Sequence, residues 1–390
     1  MHACTTAVIS GKATPDGRPL LWKHRDSNFE QNKLMFFKDG RYPYIALVNS
    51  ADTSGKEVWG GCNSAGFAII NSASYNLKPA ADTTAIKDRE GVVMKQALQQ
   101  CASVTEFEQF LIHYPRPMGV EANFGVIDAD GNGAYFETGN FSFRKFDVND
   151  PATAPHGYIL RTNYSYTGMP DSGYGYIRYA SVQEYFNMAE ATSNLSLEFI
   201  LNGPTRSFKH GITGINFLDQ LPRNSGQPCF VNFDDMILRN SSTSSVIIQG
   251  VRAGEPLELT TMWTVLGFQF CSVAVPVWVS GGEPLPAQLT ANEKQVAPLC
   301  DMALKLKEKC YPVKRGSGYK YLNLAAVANQ SGDGIFQQLQ PLEKMIRLHS
   351  AEYLKKWRQE GINHKDIHQF YQWLDETITD HYKNKKIKNE

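Results

Sequence analysis

The sequence predicts an α+β fold: a body of mixed strands and helices over residues 1–285, carrying a helical extension over residues 286–390. Three observations lead there. Alternating apolar segments flank two turn sequences, Thr14-Pro15-Asp16-Gly17 and Asp130-Gly131-Asn132-Gly133, as in hairpins. Segments with helical apolar spacing interrupt the strands. After Gly282 the composition shifts to long polar helices and a lysine-rich tail.

The opening reads as a hairpin, with strands at 4–10 and 19–25 around a turn that carries proline at its second position. If residues 15 and 16 are its centre, facing residues sum to about 31, which sets Cys4 opposite Ser27 or, with one bulged residue, Asp26. Further strands are expected at 45–49 and 66–72. Residues 87–101 have helical spacing, and Ser103-Val104-Thr105-Glu106 is a capping box that opens a second helix to about 113. Strands at 123–128 and 134–138 form the second hairpin, and 158–162 a short strand. A helix over 177–186 and strands at 246–251, 260–266 and 271–279 complete the body. Beyond it, helices are expected over 291–309, 337–359 and 364–380, and no internal repeat is visible.

Composition narrows the functions. With 42% apolar and 12% aromatic residues the chain can bury a large core, which excludes disorder as its bulk state. Its 39 basic residues balance 39 acidic ones, so no net positive field favours nucleic acid or anionic membrane, and the expected partner is a small molecule. Residues 259–282 lack formal charge, but Gly267, Gln269, Ser272 and Pro276 interrupt them. They read as two buried strands joined by a tight connection and not as a membrane span. The seven cysteines include no CxxC pair. Cys300 and Cys310 stand about 15 Å apart on a helix, too far to bridge, so all but Cys4 are expected to be buried and inert. Oligomeric state is left open, a homo-oligomer included.

Several motifs carry no chemistry. The run from Asp128 to Glu137 has its last acid at position ten instead of the twelfth that a calcium loop requires, so it is a hairpin turn. His364 and His368 lie one helical turn apart with no third ligand, and no Gly-rich phosphate loop precedes a helix. No metal or cofactor is implied.

Cys4 is different. It begins a strand close to the chain start, after the small Ala3. Without Met1, His2 and Ala3 it would own an α-amine, whose pKa near 7.7–8.0 suits a general base, so nucleophile and base would share one residue. A buried core cysteine and the lipidated cysteine of an exported lipoprotein are the competing readings; a strand that begins at once speaks against the second. A signal peptidase cutting after Ala3 would expose Cys4, so the expected location is periplasmic or extracellular after signal-peptide removal. With the amine blocked, the base would have to be a side chain such as His24.

Cys4-Thr5-Thr6, the Gly-Lys-Ala-Thr-Pro-Asp-Gly run from Gly11 to Gly17, and Trp22-Lys23-His24-Arg25-Asp26 resemble the start of an N-terminal-nucleophile (Ntn) hydrolase. The group meant includes choloylglycine hydrolases, penicillin V acylases and acyl-coenzyme A:6-aminopenicillanic acid acyltransferases. The opening is also similar to the cysteine Ntn dipeptidases. The likeness spans roughly residues 4–280 as scattered motifs and leaves the C-terminal helices unmatched. It implies a four-layer αββα sandwich with two antiparallel sheets. It implies that Asp26 orients the amine of Cys4 and that Lys23, where bile-salt enzymes carry arginine, or the adjacent Arg25 reaches the sulfur. It further implies that Asn71, through its backbone N–H, and Asn163, through its side chain in Leu160-Arg161-Thr162-Asn163-Tyr164, form the oxyanion hole, and that Arg178 belongs to a Ser-x-x-Arg-like element starting near Ser172. Read without the resemblance, both asparagines are turn or cap residues and Arg178 a surface arginine.

The expected activity is cleavage of the amide bond of a small N-acylated amine or amino acid through a Cys4 thioester, with acyl transfer as the variant in which an amine replaces water. Alternatives are an Ntn dipeptidase and a non-catalytic exported lipoprotein. Phe29, Phe36, Phe37, Tyr75, Tyr164, Tyr166, Tyr174 and Tyr176 are expected around the mouth of the site, favouring an apolar acyl group.

Overall fold

The computed structural model describes residues 3–384. In chain order the strands are β1 (Ala3–Ile9), β2 (Leu20–Asp26), β3 (Asn32–Phe37), β4 (Tyr44–Asn49), β5 (Gly61–Asn63), β6 (Ala68–Ala73), β7 (Ala122–Ile127), β8 (Gly133–Thr138), β9 (Phe143–Asp147) and β10 (Tyr158–Arg161). Then follow β11 (Phe230–Asn232), β12 (Ser242–Gln249), β13 (Thr261–Leu266), β14 (Val275–Val277) and β15 (Tyr321–Asn323). The helices are α1 (Glu90–Gln100), α2 (Val104–His113), α3 (Tyr176–Ala191), α4 (Leu197–Asn202), α5 (Pro298–Cys310), α6 (Leu324–Val327), α7 (Ile335–Glu360) and α8 (His364–Asn384).

Two antiparallel sheets carry the fold. One is ordered β10-β1-β2-β12-β13-β14, the other β3-β4-β5-β6-β7-β8-β9; β11 and β15 pair separately. Strand alternation decides which side chains meet. Val8 packs so closely over Gly125 of the second sheet that a Cβ there would lie 2.9 Å from it, so Val8, Thr6 and Cys4 point between the sheets. Their ladder partners Leu21, Lys23 and Arg25 share that face. Trp22, one residue out of phase, stacks on Phe186 of α3 on the outer face. Across the second sheet, Phe107 of α2 packs on Phe67, Phe124 and Phe136. Helix, sheet, sheet, helix is therefore the layer order, and the fold is the α+β sandwich with a C-terminal helical part that the sequence suggests.

That helical part is tied to the sheets by polar clamps as well as by apolar packing. Arg206 donates to both carboxylate oxygens of Glu343 in α7 and to the carbonyls of Leu201, Gln269 and Ser272. Glu343 also accepts from the N–H of Ala274. The seven cysteines are free thiols; Cys271 and Cys310 of α5 touch with their sulfurs 3.5 Å apart, and Cys229 is half-buried where a buried thiol was expected. Among the described residues no helix is long and apolar enough to cross a membrane.

Several boundaries differ from expectation for local reasons. The helix expected from 291 begins at Pro298, whose fixed φ suits a first turn and whose missing N–H is not needed there. The expected strand 271–279 shrinks to β14 because a 3₁₀ turn, Gln269–Cys271, takes up its start. Asp128 gives its carboxylate to the N–H groups of Val104, Asp130 and Asn132, making a turn and a helix start of the apparent calcium loop. The main correction concerns the first hairpin. Its ladder sets Cys4 opposite Arg25 and Asp26 opposite Ala3, so facing residues sum to 29, as 4 + 25 and 3 + 26 both give. The 3₁₀ turn Gly11–Ala13, capped by Ser10, coils two extra residues into the first arm and moves the centre.

Candidate active site

The site is built on the N-terminal strand. The N–H of Cys4 donates to Asn163 Oδ1 at 2.9 Å, and its carbonyl accepts from Arg178 Nη1. Arg178 also donates to Thr5 Oγ1 (2.9 Å) and to Asn163 Oδ1 (2.7 Å), so one buried guanidinium grips the strand and the asparagine together. Gly175 permits this approach: it has φ +96°, and a Cβ there would lie 2.5 Å from Arg178 Nη2 and 2.8 Å from Thr162 Cβ. Burial holds Arg178 down to about 10. Arg178, which without the resemblance reads as a surface residue, is thus enclosed.

The thiol face opens into a cavity of about 470 Å³ whose lining includes Cys4, Lys23, Arg25, Asp26, Asn71 and Trp59. A larger, shallower hollow of about 560 Å³ between α1 and α2 contains none of these residues. Charge decides between the two, because the first gathers two cations around a thiol. Lys23 Nζ donates to the carbonyl of Trp59 at 2.8 Å and to Asn71 Oδ1. Trp59 and Asn71 lie just outside the start of the short β5, each two residues from the Gly61–Ile69 ladder pair, and the lysine crosses from one sheet to the other there. Burial lowers Lys23 from 10.5 to about 7; a Cys4 thiolate is the first of the influences that oppose the fall. Arg25 is held by Asn32 (2.6 Å) and Asn49 (2.9 Å), lies over the Trp59 ring at 4.9 Å, and is lowered to about 10, again by burial.

Of the six residues singled out in the sequence, Cys4, Lys23, Asp26 and Asn71 line the cavity, while Asn163 and Arg178 stand behind the Cys4 backbone. Asp26 does not face Cys4 across the hairpin as expected. Its carboxylate accepts from Ser242 Oγ (2.6 Å) and Arg239 Nη2 (2.7 Å) at the end of the strand, opposite Ala3. The side chain of Asn71 is engaged by Lys23, and one hydrogen of Asn163 Nδ2 goes to the carbonyl of Ala73 at 2.8 Å. His24 pairs with Thr5 on the outer face of the sheet, so it is no neighbour of the sulfur, and the side-chain base suggested for a blocked amine is not at hand.

Sequence reasoning missed Glu90, the first residue of α1. It accepts the N–H of Glu121 in the cavity wall and is raised to about 7 by burial. Its only sequence signal was an acid in a first helical turn. Of the aromatic residues expected at the mouth, Phe29 and Tyr75 line the cavity and Tyr174 packs edge-on against Tyr75 at 5.4 Å, whereas Phe37 stacks on Tyr44; Tyr164 and Tyr176 stack on each other at 4.6 Å. The remaining wall mixes charged residues, Glu57, Lys78, Lys87, Asp88, Glu90 and Glu121, with the uncharged Ala73, Ser74, Ile86, Gly119, Val120 and Asn140.

No family model and no curated protein matches the chain. Solved structures do. An N-acylethanolamine-hydrolyzing acid amidase ortholog of Caenorhabditis elegans is 11% identical, with 63% of this chain and 92% of that one covered and a TM-score of 0.41. Penicillin V acylase from Agrobacterium tumefaciens is 11% identical over 71% and 86% of the two chains, TM-score 0.40. A conjugated bile acid hydrolase from Clostridium perfringens is 12% identical over 71% and 93%, TM-score 0.41.

Proposed function

We propose that this chain is a cysteine amidohydrolase of the Ntn type, cleaving the amide bond of a small acylated amine or amino acid through a thioester on Cys4. One observation carries the reading: Cys4 lines a cavity beside the buried cations Lys23 and Arg25, on a strand where its own N–H and C=O are both held by side chains.

The active species in this reading begins at Cys4. Ala3 occupies the place facing Asp26, and cutting after it leaves the new α-amine beside that carboxylate, with Asn163 Oδ1 as a second acceptor. The amine takes the thiol proton, and the thiolate, stabilised by Lys23 and Arg25, attacks the substrate carbonyl. The second hydrogen of Asn163 Nδ2 and the backbone N–H of Asn71 receive the oxyanion. Collapse expels the amine product, which takes back the proton, and water then hydrolyses the thioester by the same route. Removal of residues 1–3 by a signal peptidase, in the periplasm or beyond, is the processing route that goes with this reading.

A second reading, a dipeptidase with the same machinery, is favoured by the charged residues of the wall, Glu57, Lys78, Lys87, Asp88, Glu90 and Glu121, which suit the charged termini of a dipeptide. The non-catalytic lipoprotein is disfavoured, since Cys4 is 6% exposed. N-acyl amino acids, conjugated bile salts, penicillin V and dipeptides assayed on one preparation separate the first two. Intact-mass detection of the acyl adduct on Cys4 tests the chemistry common to both; a turning-over enzyme that never carries an adduct there, and keeps its rate as Cys4→Ala, would refute it.

A further inference from the structure

Behind Asp26, on the face away from the thiol, lies a line of buried polar groups that the mechanism above does not use. Ser242 Oγ donates to Asp26 Oδ1 at 2.6 Å, and His24 Nε2 lies 2.9 Å from the same hydroxyl. His24 Nδ1 is 3.1 Å from Ser245 Oγ, which accepts from Gln269 Nε2 at 3.1 Å. His24, Asp26, Ser242, Ser245 and Gln269 are all buried, His24 and both serines completely.

The directions of these bonds follow from one fact. A carboxylate only accepts, so the single hydroxyl proton of Ser242 goes to Asp26. Ser242 then has only lone pairs left, and both are filled: the N–H of Arg239 donates to it at 3.0 Å, and His24 has to donate from Nε2. His24 is thereby the Nε2–H tautomer, with Nδ1 free to accept from Ser245, whose own lone pair takes Gln269. Every donor in the line points toward Asp26. Burial lowers His24 to about 4, against the attraction of Asp26 and with the help of Arg239 and Arg178, so the ring stays neutral as this ordering requires. The strand geometry is specific. β12 bulges between Ser242 and Ser244, and the extra residue sets Ser242 opposite Asp26 while Ser245 stays opposite His24.

We propose that Ser242, His24 and Ser245, terminating at Gln269, are positioning residues that aim the Asp26 carboxylate at the strand end where the amine of Cys4 is released. The proposal rests on the amine-holding role of Asp26 given above. Arg239 supplies the charge on the other oxygen, and the line supplies the direction, since a chain of aligned donors polarises its last member and restricts its rotation.

Kinetics of the processed full chain test this. Ser242→Ala and His24→Leu should each lower kcat by about 10- to 100-fold with KM changed less than about 2-fold, whereas His24→Gln, which keeps a donor at the Nε2 position, should stay within about 3-fold of wild type. In an Asp26→Asn background, Ser242→Ala should add less than about 2-fold, because the line then has nothing left to aim. Unchanged kcat in Ser242→Ala and His24→Leu, or losses that multiply with that of Asp26→Asn, would overturn the proposal while leaving the role of Asp26 standing. Full activity of Asp26→Asn would remove that role and the proposal together. Nitrogen-15 histidine spectra of the unmutated protein give a check that no folding defect can disturb: His24 should be the neutral Nε2–H tautomer at pH 7, and an Nδ1–H signal would overturn the proposed direction.

Discussion

Replacing Lys23 by methionine should stabilise the protein at pH 7 and destabilise it at pH 10, while silencing it at both. The ammonium of Lys23 titrates near 7 in the folded chain and near 10.5 in the unfolded one. The folded state therefore suffers for keeping a charge there at any pH below about 7, and the penalty fades as pH rises toward 10.5, because the unfolded chain binds more protons throughout that window. At about 1.4 kcal/mol per tenfold, the displacement corresponds to roughly 4–5 kcal/mol at pH 7 and less than about 1 kcal/mol at pH 10. Methionine fills similar space but leaves the Trp59 carbonyl and Asn71 Oδ1 without their donor, a loss of about 1–1.5 kcal/mol each. The net is a gain of about 2 kcal/mol at pH 7 and a loss of about 2 kcal/mol at pH 10, each worth about 2–3 °C in Tm for a chain this long. Thermal unfolding of both proteins from pH 6 to pH 10 reads the difference directly and cancels groups that titrate alike in both. A methionine variant less stable than wild type by the same margin at every pH would refute the reasoning, since Lys23 would then hold an ordinary proton.

Cys4→Ala should abolish turnover with a Tm within about 1–2 °C of wild type, measured by activity and calorimetry on the processed chain, because it removes one sulfur from a cavity wall. Asn163→Ala should lower kcat by about 10²- to 10³-fold with a smaller change in KM; it also takes an acceptor from the buried Arg178, so a fall in Tm should accompany the kinetic loss. Arg206→Met should cost about 3–5 kcal/mol by denaturant titration because it leaves Glu343 buried without its partner, and Arg206→Met with Glu343→Leu should recover much of that loss. Protein processed to begin at Cys4 should turn over substrate, whereas intact-mass-verified protein that retains Ala3 should not, its strand nitrogen being an amide.

What the sequence disclosed was local. The Ser103 cap of α2, one half of the expected capping box because Glu106 turns its carboxylate to the N–H of Ala102, and the turn at Gly131 appear where their residue types demand, since each is made within a few residues. Asp26 could be placed at the end of its strand but not opposite its partner, because the register depends on how many residues a 3₁₀ turn takes up, and nothing in Gly11-Lys12-Ala13 declares that. The site's remaining parts join residues distant in sequence. Ser242 reaches Asp26 across 216 positions, and Lys23 finds Asn71 across 48. Glu90 is unusual for its surroundings and not for its type. The resemblance supplied Asn163 and Arg178, which periodicity alone would have left as a turn residue and a surface charge.

The central place of the first hairpin bears on how the chain is made. β1 and β2 leave the ribosome ahead of the other described strands, yet they lie inside their sheet, and neither flank can form early: Cys4 waits 159 residues for Asn163, and Asp26 waits 216 for Ser242. At translation rates of about 5–20 residues per second, the second wait is roughly 10–40 s. Throughout it, β2, buried along its whole length in the mature sheet, has one open edge. Such late pairing makes for slow folding and leaves the nascent chain dependent on whatever shields that edge. It also dates the site: a chain halted between residues 178 and 242 holds every residue that lines the thiol's cavity and grips its strand, but not the Ser242 hydroxyl that fixes the Asp26 carboxylate.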